Sequence, residues 1–403
     1  MKKIICFILT ILLLSGNAFA SESEFVFETD SGEVDAAIFE EAAVTDSGID
    51  VTAPSAILME KESGTVIFEK EADKQMQPAS VTKVMTILLI VEAVENNTIT
   101  LEDSVRVSSY AASMGGSQVF LEENETMTVR DMLKSIVVSS ANDAAVAMAE
   151  HLAGAESAFV GLMNQRAAEL GMKNTTFCNC TGLLDQPEHL TTARDIAIMS
   201  RELIRHDWIK EYTTIWMDTI RNGEFGLSNT NKLVRYYDGA TGLKTGFTSS
   251  AKYCLSATAE KEGVEYIAVV MGCETSNDRF ESAKSLLSYG FSNYTVVSAE
   301  PDEVLVPINV TMGKSKTVQP EMGTVEKLLI SKSQASQITK EVDIADELKA
   351  PVLEGDILGK LIIKAGEEVL TEIPIVAGHG VERLGLGDIF GGLVKEFLFG
   401  SVS

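Results

Sequence analysis

The sequence predicts a mixed α/β (α+β) domain, then a small all-β domain, then a C-terminal amphipathic helix. Three observations carry that reading. Between residues 51 and 297, long apolar runs suited to buried helices alternate with strand pairs joined by Gly-containing turns. From about Pro301 the runs become short and β-branched, and several alternate apolar with polar residues. The last stretch places Leu386, Ile389, Phe390, Leu393, Val394, Phe397 and Leu398 at steps of three and four.

Ahead of the folded region lie two segments of different character. Residues 1–20 begin with Lys2 and Lys3, continue through an apolar core at 4–14 and end on Ala18-Phe19-Ala20. That order predicts a cleaved secretory signal peptide. Its loss takes the net charge from −26 to −28, because it removes two lysines and no acid. Residues 21–50 hold ten acidic residues and no Lys or Arg, which predicts a flexible acidic linker or interaction arm. Such acidity excludes nucleic acid as a partner and argues against electrostatic docking to anionic lipid.

The first strand pair is expected at 56–59 and 65–68, around Lys61-Glu62-Ser63-Gly64. Next comes Pro78-Ala79-Ser80-Val81-Thr82-Lys83, opening an apolar run through Val94. A run of that length without charge predicts a buried helix, and residues three apart share one face. Ser80 and Lys83 can therefore meet. A serine hydroxyl needs a base to become nucleophilic, and lysine serves only when burial or a neighbouring cation keeps it neutral. Ser80 would also sit in the first helical turn, where free N–H groups favour a developing oxyanion. Ser-x-x-Lys is a short pattern that chance also supplies. A second copy, Ser249 to Lys252, opens no apolar helix.

Thr128 caps the next predicted helix, with Asp131 three residues on. That helix runs into Ser140-Ala141-Asn142, and apolar character resumes at once with Ala144, Ala145 and Val146. A polar turn between two apolar helices is either a helix cap or a pair of site residues. Further helices are expected at 159–170 and 192–205. Lys244-Thr245-Gly246 then falls on a strand edge, followed by strands at 253–258 and 266–271 around Lys261-Glu262-Gly263. The lysine would offer a cation for a carboxylate and depress the Lys83 pKa. The threonine offers a hydroxyl, and the glycine lets a ligand approach the backbone. An ordinary polar strand is the plainer alternative.

Taken together, Ser80–Lys83, Ser140-Ala141-Asn142 and Lys244-Thr245-Gly246 resemble the active-site motifs of serine penicillin-binding proteins and serine β-lactamases, in the same chain order. The wording around Ser80, the signal peptide and Thr191 to Asp195 are similar to the exported D-alanyl-D-alanine carboxypeptidases, the low-molecular-mass penicillin-binding proteins. The resemblance implies a penicillin-binding, β-lactamase-like domain with an antiparallel sheet flanked by helices. It further implies attack by Ser80 on the penultimate D-alanine of peptidoglycan stem pentapeptides, with Lys83 as base and Ser140 relaying a proton. Ser80 and Phe247 backbone N–H groups would form the oxyanion hole. Asn142 would orient the peptide amide, while Lys244 and Thr245, assisted by Arg279, would hold the terminal carboxylate. β-Lactam antibiotics would acylate Ser80.

Antiparallel strands of the second domain are expected at 304–310, 325–330, 338–344, 357–363 and 369–376. The expected division is signal peptide 1–20, linker 21–50, catalytic domain 51–297, a β-sandwich-like domain 298–378 and a membrane-associating tail 379–403. That tail would lie in the membrane interface or pack on the β domain; the resemblance favours the membrane. The expected location is the outer face of the cytoplasmic membrane. Four cysteines remain after the signal and the four histidines are scattered, so the reading requires no metal and no cofactor. D,D-endopeptidase or transpeptidase action on cross-links is an open alternative, as is a non-catalytic wall-binding or β-lactam-binding protein. A class A β-lactamase would carry Glu-x-x-Leu-Asn, and this chain has no Leu-Asn pair.

Overall fold

The computed structural model describes residues 49, 51–183, 186–323 and 327–399. The expected signal peptide and, Ile49 apart, the acidic linker lie outside the described residues.

Five antiparallel strands form the central sheet, in the order Val66–Lys70, Ser55–Glu60, Val264–Cys273, Lys252–Lys261, Ala240–Thr248. Both predicted hairpins are present, and the Lys244 strand is an edge. The sheet's two faces bury different sets. Ile57, Met59, Ile267, Val269 and Met271 face the helical body, whereas Ala56, Leu58, Tyr266, Ala268 and Val270 face the helix Ser276–Asn293. Strict alternation along each strand produces that division. The central strand is buried at every position, and from Tyr266 to Met271 it reads as a continuous apolar run.

In the helical body, the helix Lys83–Glu95 is buried on nearly all sides, which explains why its apolar run lacks a polar face. The helices Val129–Ser139 and Asn142–Ala153 pack beside it, joined by the two-residue break at Ser140 and Ala141. Thr128 caps the first of them by accepting from the Asp131 N–H at 3.2 Å, as its position predicts. Thr192 caps Ala193–Arg205 in the same way, accepting from Asp195. Arg166 ties three helices together by donating to Glu92 and Glu202 at 2.9 and 2.8 Å. Among the described residues, Glu92, Glu202 and His206 also have potential metal-ligand atoms within 4.8 Å of one another. The Arg166 guanidinium already bridges both carboxylates, so the set works as a cross-helix tie.

The β domain differs from its expectation in two places. Residues 304–307 are not strand, and Val304 and Val306 are exposed; the strand there is Ile308–Thr311. That strand pairs in parallel with Glu347–Lys349, so the domain is not wholly antiparallel. Four other strands form an antiparallel sheet in the order Pro320–Met322, Glu368–Ala377, Ile357–Ala365, Ile338–Ile344. Strand Tyr294–Ser298 leaves the last helix of the catalytic domain and pairs with Lys327–Ser331. The expected boundary at 297 thus falls inside a paired strand. The C-terminal helix spans Leu386–Phe399.

Candidate active site

Ser80 sits in a 3₁₀ turn, Ala79–Thr82, that leads directly into Lys83–Glu95. The expectation was the first turn of an α-helix; neighbouring groups tighten it instead. Thr82 Oγ1 donates to the Ala79 carbonyl at 2.8 Å. Ala79 itself adopts φ 47°, a left-handed conformation that costs a non-glycine residue about 1–3 kcal/mol and persists only where the surroundings dictate it. The turn leaves Ser80 half-exposed above a fully buried Lys83.

Lys83 Nζ lies 3.2 Å from Ser80 Oγ. It also donates to Asn142 Oδ1 at 2.6 Å and to the Thr181 carbonyl at 2.8 Å. Among the described residues, no carboxylate touches it. Burial lowers its pKa from 10.5 to about 7, against smaller opposing effects of Cys180 and Asp143. The amine is therefore substantially uncharged at neutral pH, as a base for Ser80 must be.

Ser140 ends its helix at φ 61°, ψ 29°, and Asn142 opens the next. Ala141, not Ser140 or Asn142, is the N-cap, and it supplies no side-chain cap bond. The amide of Asn142 is occupied at both ends: Oδ1 accepts from Lys83, and Nδ2 donates to the Gly115 carbonyl at 2.7 Å. It holds the Lys83 amine.

The Lys244 strand closes the third side. A Cβ placed on Gly246 would lie 3.1 Å from the Ser80 nitrogen and 2.8 Å from the Pro78 carbonyl. Glycine at this point is what lets the strand reach the Ser80 turn. Lys244 is buried, and desolvation, then Lys83 and Arg279, push its pKa well down. Thr245 Oγ1 donates to Thr230 Oγ1 at 2.7 Å. Phe247 is 53% exposed and stacks on Tyr253 with ring centroids 4.3 Å apart. Arg279 comes from the helix Ser276–Asn293. It is buried behind the strand, where it donates to the carbonyls of Gly246 at 3.1 Å and Cys254 at 3.4 Å. That places it in support of the strand carrying Lys244 and Thr245.

Three segments far apart in the chain thus meet at one point, with an amine of lowered pKa against a serine hydroxyl. The family model described as D-alanyl-D-alanine carboxypeptidase matches residues 40–275, and the one described as Penicillin-binding protein 5, C-terminal domain, matches 291–383. The chain belongs to the D-alanyl-D-alanine carboxypeptidase family. It is accordingly a serine-type carboxypeptidase, a hydrolase. Similar to it is the D-alanyl-D-alanine carboxypeptidase DacF of Bacillus subtilis (strain 168), 41% identical over 83% of this chain and 87% of the relative. DacC of Escherichia coli (strain K12) is 32% identical over 86% of this chain and 88% of the relative. Among solved structures, penicillin binding protein 5 from Haemophilus influenzae aligns with a TM-score of 0.74 at 29% identity, covering 83% of this chain and 98% of that one. Penicillin-Binding Protein D2 from Listeria monocytogenes, in its ampicillin-bound form, aligns at 0.55 and 34% identity, covering 60% and 98%.

Several parts of this carboxypeptidase site carry no motif. The loop 178–183 runs under the nucleophile turn and supplies the Thr181 carbonyl to Lys83. Asn179 Oδ1 shapes that loop by accepting from the N–H groups of Thr181 and Gly182. His189 braces it from below. Its Nδ1 accepts from the Cys178 N–H at 3.0 Å, so the proton lies on Nε2, which donates to Thr82 Oγ1 at 2.8 Å. Burial lowers the His189 pKa to about 4, keeping the ring neutral. The second Ser-x-x-Lys copy is a turn beside the strand, and its Lys252 pairs with Glu274 on the surface.

Proposed function

We propose that this carboxypeptidase is exported and removes the terminal D-alanine from peptidoglycan stem pentapeptides through an acyl-enzyme on Ser80, and that β-lactams inhibit it by acylating the same oxygen. The observation that carries the reading is the Lys83 amine, drawn to a pKa of about 7 and held 3.2 Å from Ser80 Oγ. Lys83 takes the Ser80 proton as Oγ attacks the penultimate D-alanine carbonyl. The backbone N–H groups of Ser80 and Phe247 stabilise the oxyanion, a kind of donor whose removal typically costs about 2.7–4 kcal/mol of barrier. Ser140 passes the proton to the departing amine. Lys244 and Thr245 bind the terminal carboxylate on a strand that Arg279 supports from behind. Water then hydrolyses the ester.

Incubating the purified protein with a diacetyl-Lys-D-Ala-D-Ala peptide is expected to release free D-alanine. Mass spectrometry after penicillin treatment is expected to find one adduct, on Ser80, that Ser80→Ala abolishes. No D-alanine, or an adduct on another residue, would overturn the assignment. Dimeric muropeptides in a parallel reaction measure any cleavage of cross-links.

The tail helix supports attachment to the outer face of the cytoplasmic membrane. Leu386 is 88% exposed and Phe390 70%, and Ile389 and Val394 are partly open, which supports a free apolar stripe. No helix among the described residues is long and apolar enough to cross a membrane. An exposed apolar stripe on a helix fits the interface instead. Deleting the chain from Leu386 onward is expected to release the protein from sedimenting lipid vesicles. Unchanged co-sedimentation would count against the anchor.

A further inference from the structure

The loop over Asn142 is gripped from both sides by residues that no motif includes. Asp143 is fully buried, and its carboxylate accepts from the backbone N–H groups of Val119 (3.1 Å), Leu121 (3.0 Å) and Ala144 (2.9 Å). On the outer side, Arg221 donates to the carbonyls of Val119 at 2.8 Å and Phe120 at 3.1 Å. It is itself held by Glu125, through bonds of 2.7 and 3.0 Å. Phe120 has φ 56°, and this left-handed residue turns N–H groups inward to an anion and carbonyls outward to a cation. The same loop gives the Ser117 carbonyl to the Asn142 N–H and the Gly115 carbonyl to Asn142 Nδ2, both at 2.7 Å. Between them Gly116, at φ 73°, lies so close that a Cβ would stand 2.8 Å from Asn142 Nδ2.

We infer that Asp143 and Arg221 are positioning residues that clamp the loop 113–125 on Asn142 and thereby set where the Lys83 amine stands beneath Ser80. The inference rests on the acyl-enzyme reading above. Neither residue touches the reacting atoms. Asp143 acts through the loop and through Asn142, and Arg221 through the loop alone. Asp143 has a second influence that Arg221 lacks. Its negative charge favours the ammonium form of Lys83. The other groups facing that amine are Ser80 Oγ on its own turn, the Thr181 carbonyl and the neutral Cys180 thiol from the loop below, Asn142, and Lys244 from the edge strand. Among the described residues, Asp143 is thus the one acid in that set.

The test is the second-order rate of Ser80 acylation by benzylpenicillin, measured from pH 5 to 9 on the full chain, its Asp143→Asn variant and its Arg221→Gln variant. Asp143→Asn is expected to slow acylation by about 10²-fold, the cost of misplacing a reacting group by about 1 Å. It is also expected to move the acid limb to lower pH, because losing the anion makes Lys83 easier to deprotonate. Arg221→Gln is expected to slow acylation less and to leave the limb in place. A purely structural role for Asp143 would lower the yield of active protein without moving the limb, and so would overturn the inference. Wild-type rates and limb in Asp143→Asn would do the same. Should that variant not fold, a wild-type rate in Arg221→Gln overturns the clamp. A wild-type chain that forms no adduct sinks the acyl-enzyme reading itself and the clamp with it. An acylated wild type with unaffected variants sinks the clamp alone.

Discussion

Lys83→Met is expected to slow acylation of Ser80 by about 10²–10⁴-fold, the range for losing a general base, while leaving a folded protein. The second half of that prediction follows from opposing costs of similar size. Burial holds Lys83 near pKa 7 in the folded state against 10.5 as the ordinary value. The folded chain therefore binds fewer protons than the unfolded chain between those values, and its stability rises with pH across that window. At pH 7 the cost is about 4 kcal/mol, which methionine removes. Methionine also leaves Asn142 Oδ1 and the Thr181 carbonyl without their donor, at about 1–3 kcal/mol each. The two effects roughly cancel at pH 7. At pH 9 the wild type regains about half of its cost, so the variant should become the less stable of the pair. Thermal melts at both pH values, beside stopped-flow acylation, check this. Acylation by Lys83→Met at the wild-type rate would remove Lys83 as the base.

That balance also explains which parts of the site were legible in the sequence. Ser80 and Lys83 announce themselves because chemistry demands particular side chains at a helical spacing, at the head of a run too apolar for a surface helix. Lys244-Thr245-Gly246 is legible because glycine is needed where the strand meets the Ser80 nitrogen. Thr128 and Thr192 mark helix starts by a local bond that needs no tertiary partner. The carbonyls of Gly115, Ser117 and Thr181 left no trace, since any residue carries a carbonyl. The support that Arg279 gives the edge strand was not legible either, since only the carbonyls of Gly246 and Cys254 explain its burial. Asn142 was legible as a site residue but not its orientation, which the Gly115 carbonyl decides. Val304 and Val306 looked like strand by composition, yet they have no paired neighbour and stay exposed. Strand propensity describes fit to a half-buried pleated surface, and here that surface is missing. Parallel pairing of Ile308–Thr311 with Glu347–Lys349 joins segments nearly forty residues apart, beyond any local pattern.

Gly182→Ala is expected to damage both stability and acylation, although Gly182 touches no substrate. The residue has φ +70°, and a Cβ there would stand 1.8 Å from the Ala79 carbonyl oxygen and 2.6 Å from Thr82 Oγ1. Neither atom can easily retreat. Ala79 is already left-handed, its carbonyl is held by Thr82, and Thr82 is backed by His189. Left-handed alanine costs about 1–2 kcal/mol and overpacking about 1–3 kcal/mol more, so a loss of about 2–5 kcal/mol is expected. The nucleophile turn must also move by about 1 Å or more, which should slow acylation by about 10²-fold. Gly115→Ala is the matched control. It lies in the loop over Asn142, where an added Cβ meets nothing within 4 Å, so its melt and its acylation rate should stay close to wild type. Should Gly182→Ala match that control in both measurements, the loop 178–183 is not what holds Ser80 above Lys83. The position of the nucleophile would then have to come from the Lys83–Glu95 helix and the edge strand alone.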